Sequence, residues 1–279
     1  MLVVGRRDDY PSRAVFDAIA ATTTVPMRWE EVDRPGFVAP GRRGIEASTS
    51  DLVAFVDDDA VPRIDWLSRL LEPLSDPRVV CVGGRIVEEG LRPVVHKDAG
   101  RVRWYGKYVG NVASRTDPSP VVVDGVSDAN WIWRRSVISS LWYDERLDED
   151  HAFLWGLDLC LQARARGWSI AYQSSAVVDH SSGPRDAHVG RGDRRQHAVV
   201  YARNYTLIAL QRLKGPRRVA FVIWWWLVGD RGAYGLVTAA FDLLQGRTGV
   251  AQLCRAAMRG RTEGVRAFMA APEQGRSGR

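Results

Sequence analysis

Three consecutive carboxylates, Asp57 to Asp59, follow an unbroken apolar run from Leu52 to Val56. Such a run is typical of a strand buried on both faces in a sheet covered by helices. Ligands of open α/β sheets bind at the carboxyl ends of the strands, where crowded carboxylates favour a cation. Alternation along a strand places Asp57 and Asp59 on one side and Asp58 on the other. Two hard oxygen ligands on one side predict a Mg²⁺ or Mn²⁺ site.

The elements around these acids predict an α/β fold. Apolar runs near residues 2–4, 25–32 and 52–56 alternate with helical patterns, the clearest over residues 12–21. This order favours a mostly parallel sheet covered by helices. Farther along, the patterns predict helices over residues 64–74 and 158–166, a strand over 78–86, and a last strand pair over 168–183 that ends at His180.

Charge divides the chain unevenly. Residues 181–279 hold 17 Lys and Arg against 6 Asp and Glu, a net charge of +11, whereas residues 1–180 have a net charge of −5. A basic C-terminal part indicates an anionic partner. Because no nucleic-acid-binding motif accompanies the charge, we expect a membrane surface and no nucleic acid.

Composition bounds the class of protein. The chain has 279 residues and 46% hydrophobic content, as in ordinary globular proteins. Its three cysteines are odd in number and far apart, which indicates a reducing compartment. The N-terminus does not read as a signal peptide, and the longest apolar run, residues 219–229, is shorter than the roughly 20 residues of a membrane-spanning helix. We therefore expect a cytoplasmic protein, peripheral at the inner face of the cell membrane.

Beyond residue 183 the sequence becomes polar and rich in Gly and Arg, and apolar helical segments follow. We place a catalytic domain at residues 1–183, a helical, basic, Trp-rich and membrane-associating extension at 184–272, and a disordered tail at 273–279. The consecutive residues Trp224 to Trp226 lie beside several arginines, which is typical of a segment in the lipid headgroup region. The alternative is a helix packed on the catalytic domain.

Several motifs in this order resemble glycosyltransferase family 2, which has the GT-A fold, a Rossmann-like sheet covered by helices. The resemblance covers roughly residues 1–185 and rests on GIEASTSDLVAFVDDDAVPRIDWL, VVCVGGRI, ANWIWRRS, YDERL and DLCLQARARGWSIAYQSSAVVDHSSG. It implies an inverting enzyme that transfers a hexosyl or deoxyhexosyl group from a nucleotide diphosphate-sugar. The expected acceptor is lipid-linked or a cell-surface polysaccharide. The chain is expected to lack the family's first strand and helix.

The resemblance also implies the metal ligands. It makes Asp59 the closer ligand, with Asp57 or Asp58 reaching the metal or the ribose, and a divalent ion there stabilises the charge of the leaving diphosphate. His180 lies at a strand end where some GT-A enzymes place a third ligand. A lone histidine is also commonly a solvated or hydrogen-bonded loop residue.

An inverting transferase needs a general base, which this family takes from an acidic pair just before a helix. Trp155 and Gly156 occupy those positions here. Asp158 at the helix start is the first candidate, and its alternative role is a helix cap or dipole partner. Glu149 and Asp150 are the substitutes.

Donor and acceptor contacts follow from the same resemblance. Asp8 or Asp9 would bind uridine or ribose, unless they form only a solvated turn. Arg42, Gly84 and Arg85 would face the diphosphate and the sugar, with a surface charge and a tight turn as the alternatives. Three residues of the ANWIWRRS segment are the acceptor candidates, namely Asn130, Trp131 and Arg134.

The altered acidic pair leaves two functions open. The first is a metal-dependent glycosyltransferase. The second is a shortened, inactive paralogue that acts as a binding or scaffold protein at the membrane.

Overall fold

The computed structural model describes residues 1–33, 36–88, 98–110, 112–148, 154–181, 193–230 and 232–270. The strands are β1 (Leu2–Arg6), β2 (Arg28–Val32), β3 (Leu52–Val56), β4 (Ala60–Pro62), β5 (Val79–Glu88), β6 (Val121–Val123), β7 (Asn130–Arg134) and β8 (Ser169–His180). The helices are α1 (Tyr10–Ala20), α2 (Val38–Ala47), α3 (Trp66–Leu71), α4 (Arg135–Ile138), α5 (Trp155–Ala165), α6 (Arg194–Arg212), α7 (Gly215–Leu227), α8 (Leu236–Leu244) and α9 (Val250–Met269). The predicted α/β class is confirmed.

The strands form two sheets. β1 and β2 pair in parallel as a two-stranded sheet, and the other six form a sheet in the order β3-β7-β5-β8-β4, with β6 also paired to β8. The longest ladder, between β5 and β8, is parallel, and the pairs of β7 with β3 and β5 are antiparallel. The predicted strand pair at the end of this domain is one continuous strand, β8. An irregularity in its register opposite Gly84 and Arg85 accommodates the extra residues.

β3 lies at the edge of the six-stranded sheet, with β7 as its neighbour in the described part of the chain. Ala54 and Val56 are exposed, so the expectation of a strand buried on both faces is wrong. The apolar run arises because Phe55 packs on Trp131 of β7, with ring centroids 5.8 Å apart. Burial of one face of a strand is enough to favour Val- and Phe-rich sequences such as this one.

α6 joins the sheet to the C-terminal helices. Its Leu207 and Ile208 belong to the core that covers the sheet, and its Tyr205 and Ala209 belong to a second core with residues of α7. α9 packs closely against α6, because a Cβ at Gly260 would lie 2.1 Å from the carbonyl oxygen of Val199. The predicted helical extension is thus present, and the boundary at residue 183 and the tail at 273–279 lie outside the described residues.

Candidate functional site

Asp57 to Asp59 lie in the turn that joins β3 to β4. The backbone N–H of Ala60 donates to the carbonyl oxygen of Asp57 at 3.1 Å and closes this turn. The three acids are therefore not part of the strand, contrary to the alternation argument. The turn nevertheless brings Asp57 and Asp59 together, while Asp58 is exposed to solvent.

β8 brings His180 to the same turn. Ala60 is opposite His180 in the β4–β8 pair, and the N–H of Ser181 donates to the carbonyl oxygen of Asp59 at 2.9 Å. His180 Nε2 lies 3.0 Å from Asp59 Oδ1. Ligand atoms of Asp57, Asp59 and His180 all lie within 4.8 Å of one another. The structure thus brings together the three predicted metal ligands, which lie 123 residues apart at their extremes.

The chemistry of this donor set fits a divalent cation. Two carboxylates and one imidazole suit Mn²⁺ better than Mg²⁺, because Mg²⁺ takes oxygen ligands in near-ideal octahedral geometry. His180 is nearly buried beside the half-exposed Asp59, so one side of the cluster is open to solvent. A metal held here would keep positions for oxygens of a ligand.

A salt bridge beside the cluster fixes the β4–β8 pair. Arg63 Nε and Nη2 donate to the two carboxylate oxygens of Asp179 at 2.9 and 2.8 Å. This bidentate hydrogen bonding lowers the pKa of Asp179. Asp179 precedes His180, so the pair holds the strand end that carries the imidazole. Neither residue was predicted, because they lie 116 positions apart and no local motif links them.

The N-terminal candidates lie on the small sheet. Asp9 caps α1, because its Oδ1 accepts a hydrogen bond from the N–H of Ser12 at 3.2 Å. Asp8 is exposed and lies 3.5 Å from Arg6 Nε. Their proposed contact with a nucleoside stays a prediction.

Arg42 lies on α2 between two carboxylates. Its Nε donates to Glu46 Oε1 at 2.7 Å, and its Nη1 lies 3.6 Å from Glu145 Oε1. The hydrogen bond with Glu46 raises the pKa of Arg42. A diphosphate would have to compete with these acids for the guanidinium. The role of Arg42 in donor binding stays a prediction.

Asn130 is fully buried and holds the irregular part of the sheet. Its Nδ2 donates to the carbonyl oxygens of Arg85 at 2.9 Å and Ala176 at 3.1 Å, and its Oδ1 accepts from Trp66 Nε1 at 2.7 Å. The predicted acceptor contact of Asn130 is therefore corrected, since three bonds inside the protein occupy its amide. Position 84 requires glycine, because a Cβ there would lie 2.4 Å from Asn130 Nδ2.

Two further acceptor candidates have structural roles. Trp131 is fully buried and makes edge contacts with Trp133 and Trp155, at centroid distances of 5.4 and 5.5 Å, so it offers no face to a sugar. Arg134 pairs with Leu52 at the start of β3, the opposite end from the acids. Its guanidinium donates to the backbone carbonyls of Val79 and Leu74 at 3.0 and 2.6 Å. Both predicted acceptor contacts are wrong for these physical reasons.

Arg85 differs from Asn130, Trp131 and Arg134, whose polar or aromatic groups contact other parts of the protein. It lies half-buried on β5, and its buried Nε has no hydrogen-bond partner among the described residues. An unsatisfied guanidinium N–H is costly to bury, and this atom is itself enclosed by the protein. The contact of Arg85 with the donor sugar stays a prediction.

Asp158 is 1% exposed in the first turn of α5. Arg212 of α6 donates to its two oxygens at 2.7 and 2.8 Å, and Gln162 donates to Oδ2 at 2.9 Å. To act as a base, Asp158 would first have to lose its two hydrogen bonds with Arg212. The other two candidates, Glu149 and Asp150, lie outside the described residues.

One carboxylate that the sequence reasoning missed lies beside the start of α5. A Cβ at Gly156 would be 3.1 Å from the Cβ of Asp128, so the glycine makes room for this half-buried acid. Asp128 precedes β7, whose first residue, Asn130, is opposite Val56. The antiparallel register therefore places Asp128 at the same end of the sheet as Asp57. Its position directly before the ANWIWRRS motif is the signal by which the sequence could have identified this acid.

Comparisons with known proteins agree with this arrangement. Residues 31–142 match the family model described as Glycosyl transferase family 2. Over 150 residues the chain is 31% identical to the pre-mycofactocin glycosyltransferase of Mycobacterium tuberculosis, in strains CDC 1551 / Oshkosh and ATCC 25618 / H37Rv. That match covers 52% of this chain and 30% of the relative, so the chain spans about a third of the relative's length.

Two solved structures share the fold. GalNAc-T7 with UDP, GalNAc and Mn²⁺ is 13% identical with a TM-score of 0.55, and the match covers 96% of this chain and 49% of that chain. The mannosyltransferase PcManGT from Pyrobaculum calidifontis in complex with GDP-Man and Mn²⁺ is 17% identical with a TM-score of 0.55, covering 96% of this chain and 77% of that one. The chain therefore has the GT-A fold, and residues 31–142 of it are similar to glycosyl transferase family 2.

Proposed function

We propose that this protein is a glycosyltransferase that moves a sugar from a nucleoside diphosphate donor with the help of a divalent cation. The observation that carries the proposal is the convergence of Asp57, Asp59 and His180 at the end of the sheet in a GT-A fold. Two solved neighbours contain a nucleotide or nucleotide sugar with Mn²⁺. The donor set here matches that chemistry.

We assign separate roles to the residues of this site. Asp57 and Asp59 would bind the cation through carboxylate oxygens, and His180 would bind it through a neutral imidazole nitrogen. A cation held by these residues would supply positive charge to the departing diphosphate. Arg63 and Asp179 position His180, and Arg85 would contact the sugar or phosphate. This pre-organisation avoids reordering of the site during transfer.

We further propose that transfer proceeds with inversion in one displacement. Asp128 is our candidate for the base that accepts the proton of the acceptor hydroxyl. It lies next to the N-terminus of α5 and at the metal end of the sheet, whereas Arg212 neutralises Asp158. A carboxylate at that position can deprotonate a hydroxyl that attacks the sugar from the side opposite the diphosphate.

The proposed acceptor is lipid-linked or a cell-surface polysaccharide, glycosylated at the inner face of the membrane. The net charge of +11 in residues 181–279 supports a partner with anionic lipid. A hexose or deoxyhexose is the proposed group transferred. The membrane location is supported by the basic C-terminal part, and the transferred group is supported by the similarity to glycosyl transferase family 2.

Calorimetry with UDP, GDP and dTDP in the presence of Mn²⁺ tests the donor site. Wild-type protein should bind at least one of them, and the Asp57→Asn, Asp59→Asn double variant should lose the Mn²⁺-dependent part because two ligand charges are removed. The matched control is Asp17→Asn, which removes a carboxylate charge at an exposed residue of α1 outside the cluster. Equal Mn²⁺-dependent binding by wild type and the double variant would contradict the metal assignment.

A second function has one observation in its favour. Trp155 and Gly156 replace the acidic pair, and Asp158 is held by Arg212, so a protein that binds a nucleotide without transfer is the alternative. A panel of nucleotide sugars with detection of the released diphosphate distinguishes the two. Binding without release of any nucleotide would favour a scaffold.

A further inference from the structure

α7 turns its tryptophans inward and its aliphatic residues outward. Trp225 is fully buried, stacks under the guanidinium of Arg261 at 4.3 Å and contacts Tyr205 of α6 at 4.9 Å between ring centroids. Trp224 and Trp226 are half-buried. The expectation that the tryptophan run itself faces lipid is thus wrong for its central residue. The exposed side chains of α7 recur instead at helical spacing, at Val219, Val222, Ile223 and Leu227.

α8 continues this pattern. Its inward residues are Ala239 and Asp242, and its exposed large apolar residues are Leu236, Val237, Phe241, Leu243 and Leu244, the last 88% exposed. The connection to α7 is short and fixed, because the N–H of Gly235 donates to the carbonyl of Val228 at 3.0 Å. α7 packs on α6 and α8 packs on α9, so the exposed side of each helix points away from the helix it covers. We call these exposed residues of α7 and α8 the apolar face.

A groove extends the apolar face toward α9. It has a volume of about 400 Å³ and is lined almost entirely by small and apolar side chains, with Arg255 at its edge. Contiguous exposed apolar surface of a globular protein commonly marks a binding site. Among the described residues, no helix has the length and apolar character needed to cross a bilayer. The apolar face is therefore suited to a surface that the protein contacts from one side.

Basic and aromatic residues surround the face. Lys214 and Arg217 are exposed at the start of α7, and Arg247 follows α8. Arg217 Nε donates to the carbonyl oxygen of Trp104, whose ring is 65% exposed. Exposed tryptophan beside basic residues is typical of the headgroup level of a membrane. Asp242 is the one acid in α7 and α8, and it is bonded to Tyr234 and Arg247.

We propose that the apolar face is a docking surface for a bilayer containing anionic phospholipid, with α7 and α8 lying along the headgroup region. Exposed aliphatic side chains enter the acyl boundary, and Lys214, Arg217 and Arg255 bind lipid phosphates. Apolar burial and electrostatic attraction act together in this mode. Docking does not require the proposed transfer reaction, although the consequence that the acceptor is lipid-linked rests on the proposed function.

Vesicle flotation tests the docking. Wild-type protein should float with vesicles of equal parts phosphatidylcholine and phosphatidylglycerol, and less with phosphatidylcholine alone or at high salt. The Ile223→Glu, Phe241→Glu double variant should bind about tenfold or more weakly, because anions replace two exposed apolar side chains that would enter the acyl boundary. The matched control is Val15→Glu, an equally exposed residue on α1, which should bind like wild type.

Three results would overturn the proposal: no flotation of the wild type, equal flotation of the double variant, or loss of flotation in the control. A stable dimer that the double variant abolishes, with no vesicle binding by either protein, would assign the face to a second copy of the chain. Circular dichroism checks that the variants are folded. Flotation of the Asp57→Asn, Asp59→Asn variant separates docking from donor binding, since that variant should still float.

Discussion

At the scale of single residues, hydrogen bonds within the protein decide the role of several residues that the sequence places at the site. Asp158 and Asn130 carry suitable chemical groups, but bonds within the protein occupy both. Asp128 lies beside the helix start that lost its acidic pair, and Arg85 keeps an unsatisfied N–H. The functional set therefore shifts from the residues expected at their motif positions to their neighbours in space.

Asp128→Asn tests the base at this scale. Removing a general base typically costs about 10²- to 10⁴-fold, so transfer should fall by that order while binding of nucleotide and Mn²⁺ is unchanged. Calorimetry and a transfer assay on the same preparation measure the two effects. Wild-type transfer rates in the Asp128→Asn variant would reject Asp128 as the base.

At the scale of elements, the Asp158–Arg212 pair joins α5 to α6. The Asp158 side chain is 2% exposed and that of Arg212 is 21% exposed, so the pair is mostly withdrawn from water. Removal of one partner from such a pair leaves the other charge without compensation. The acid at the start of α5 thus holds two helices together.

Asp158→Ala should lower the free energy of unfolding by about 2–4 kcal/mol, since it leaves the partly buried Arg212 unpaired. The Asp158→Leu, Arg212→Leu double variant should be destabilised less, because it removes both charges. Urea denaturation measures both differences. Equal destabilisation of the two variants would show that packing, not the ion pair, holds these helices together.

At the scale of the whole molecule, α6 shares side chains with both cores, and α9 contacts it through glycines. A Cβ at Gly264 would lie 2.5 Å from the carbonyl oxygen of Arg203, compared with 2.1 Å from that of Val199 at Gly260. The helices therefore pack at a distance that only glycine permits. Because the two cores meet on one helix, we expect them to unfold together.

Gly260→Ala should force α6 and α9 apart and lower the unfolding temperature by several degrees, as overpacking costs about 1–3 kcal/mol. Thr262→Ala, at an exposed position of the same helix, is the control and should change it little. Scanning calorimetry measures both. A single transition in all three proteins supports one cooperative unit, and two separate transitions would contradict it.

The sequence by itself determined the α/β class, the run of three acids after a strand and the family resemblance, because apolar periodicity and short motifs are local. It also indicated His180 as a possible third ligand, and tertiary structure decided that β8 brings it to Asp59. Only the folded chain decided that β3 is an edge strand, that Trp131 is core and that Asp158 is paired. The β3–β7 and Asp158–Arg212 contacts join residues at least 54 positions apart, and no local pattern records such contacts.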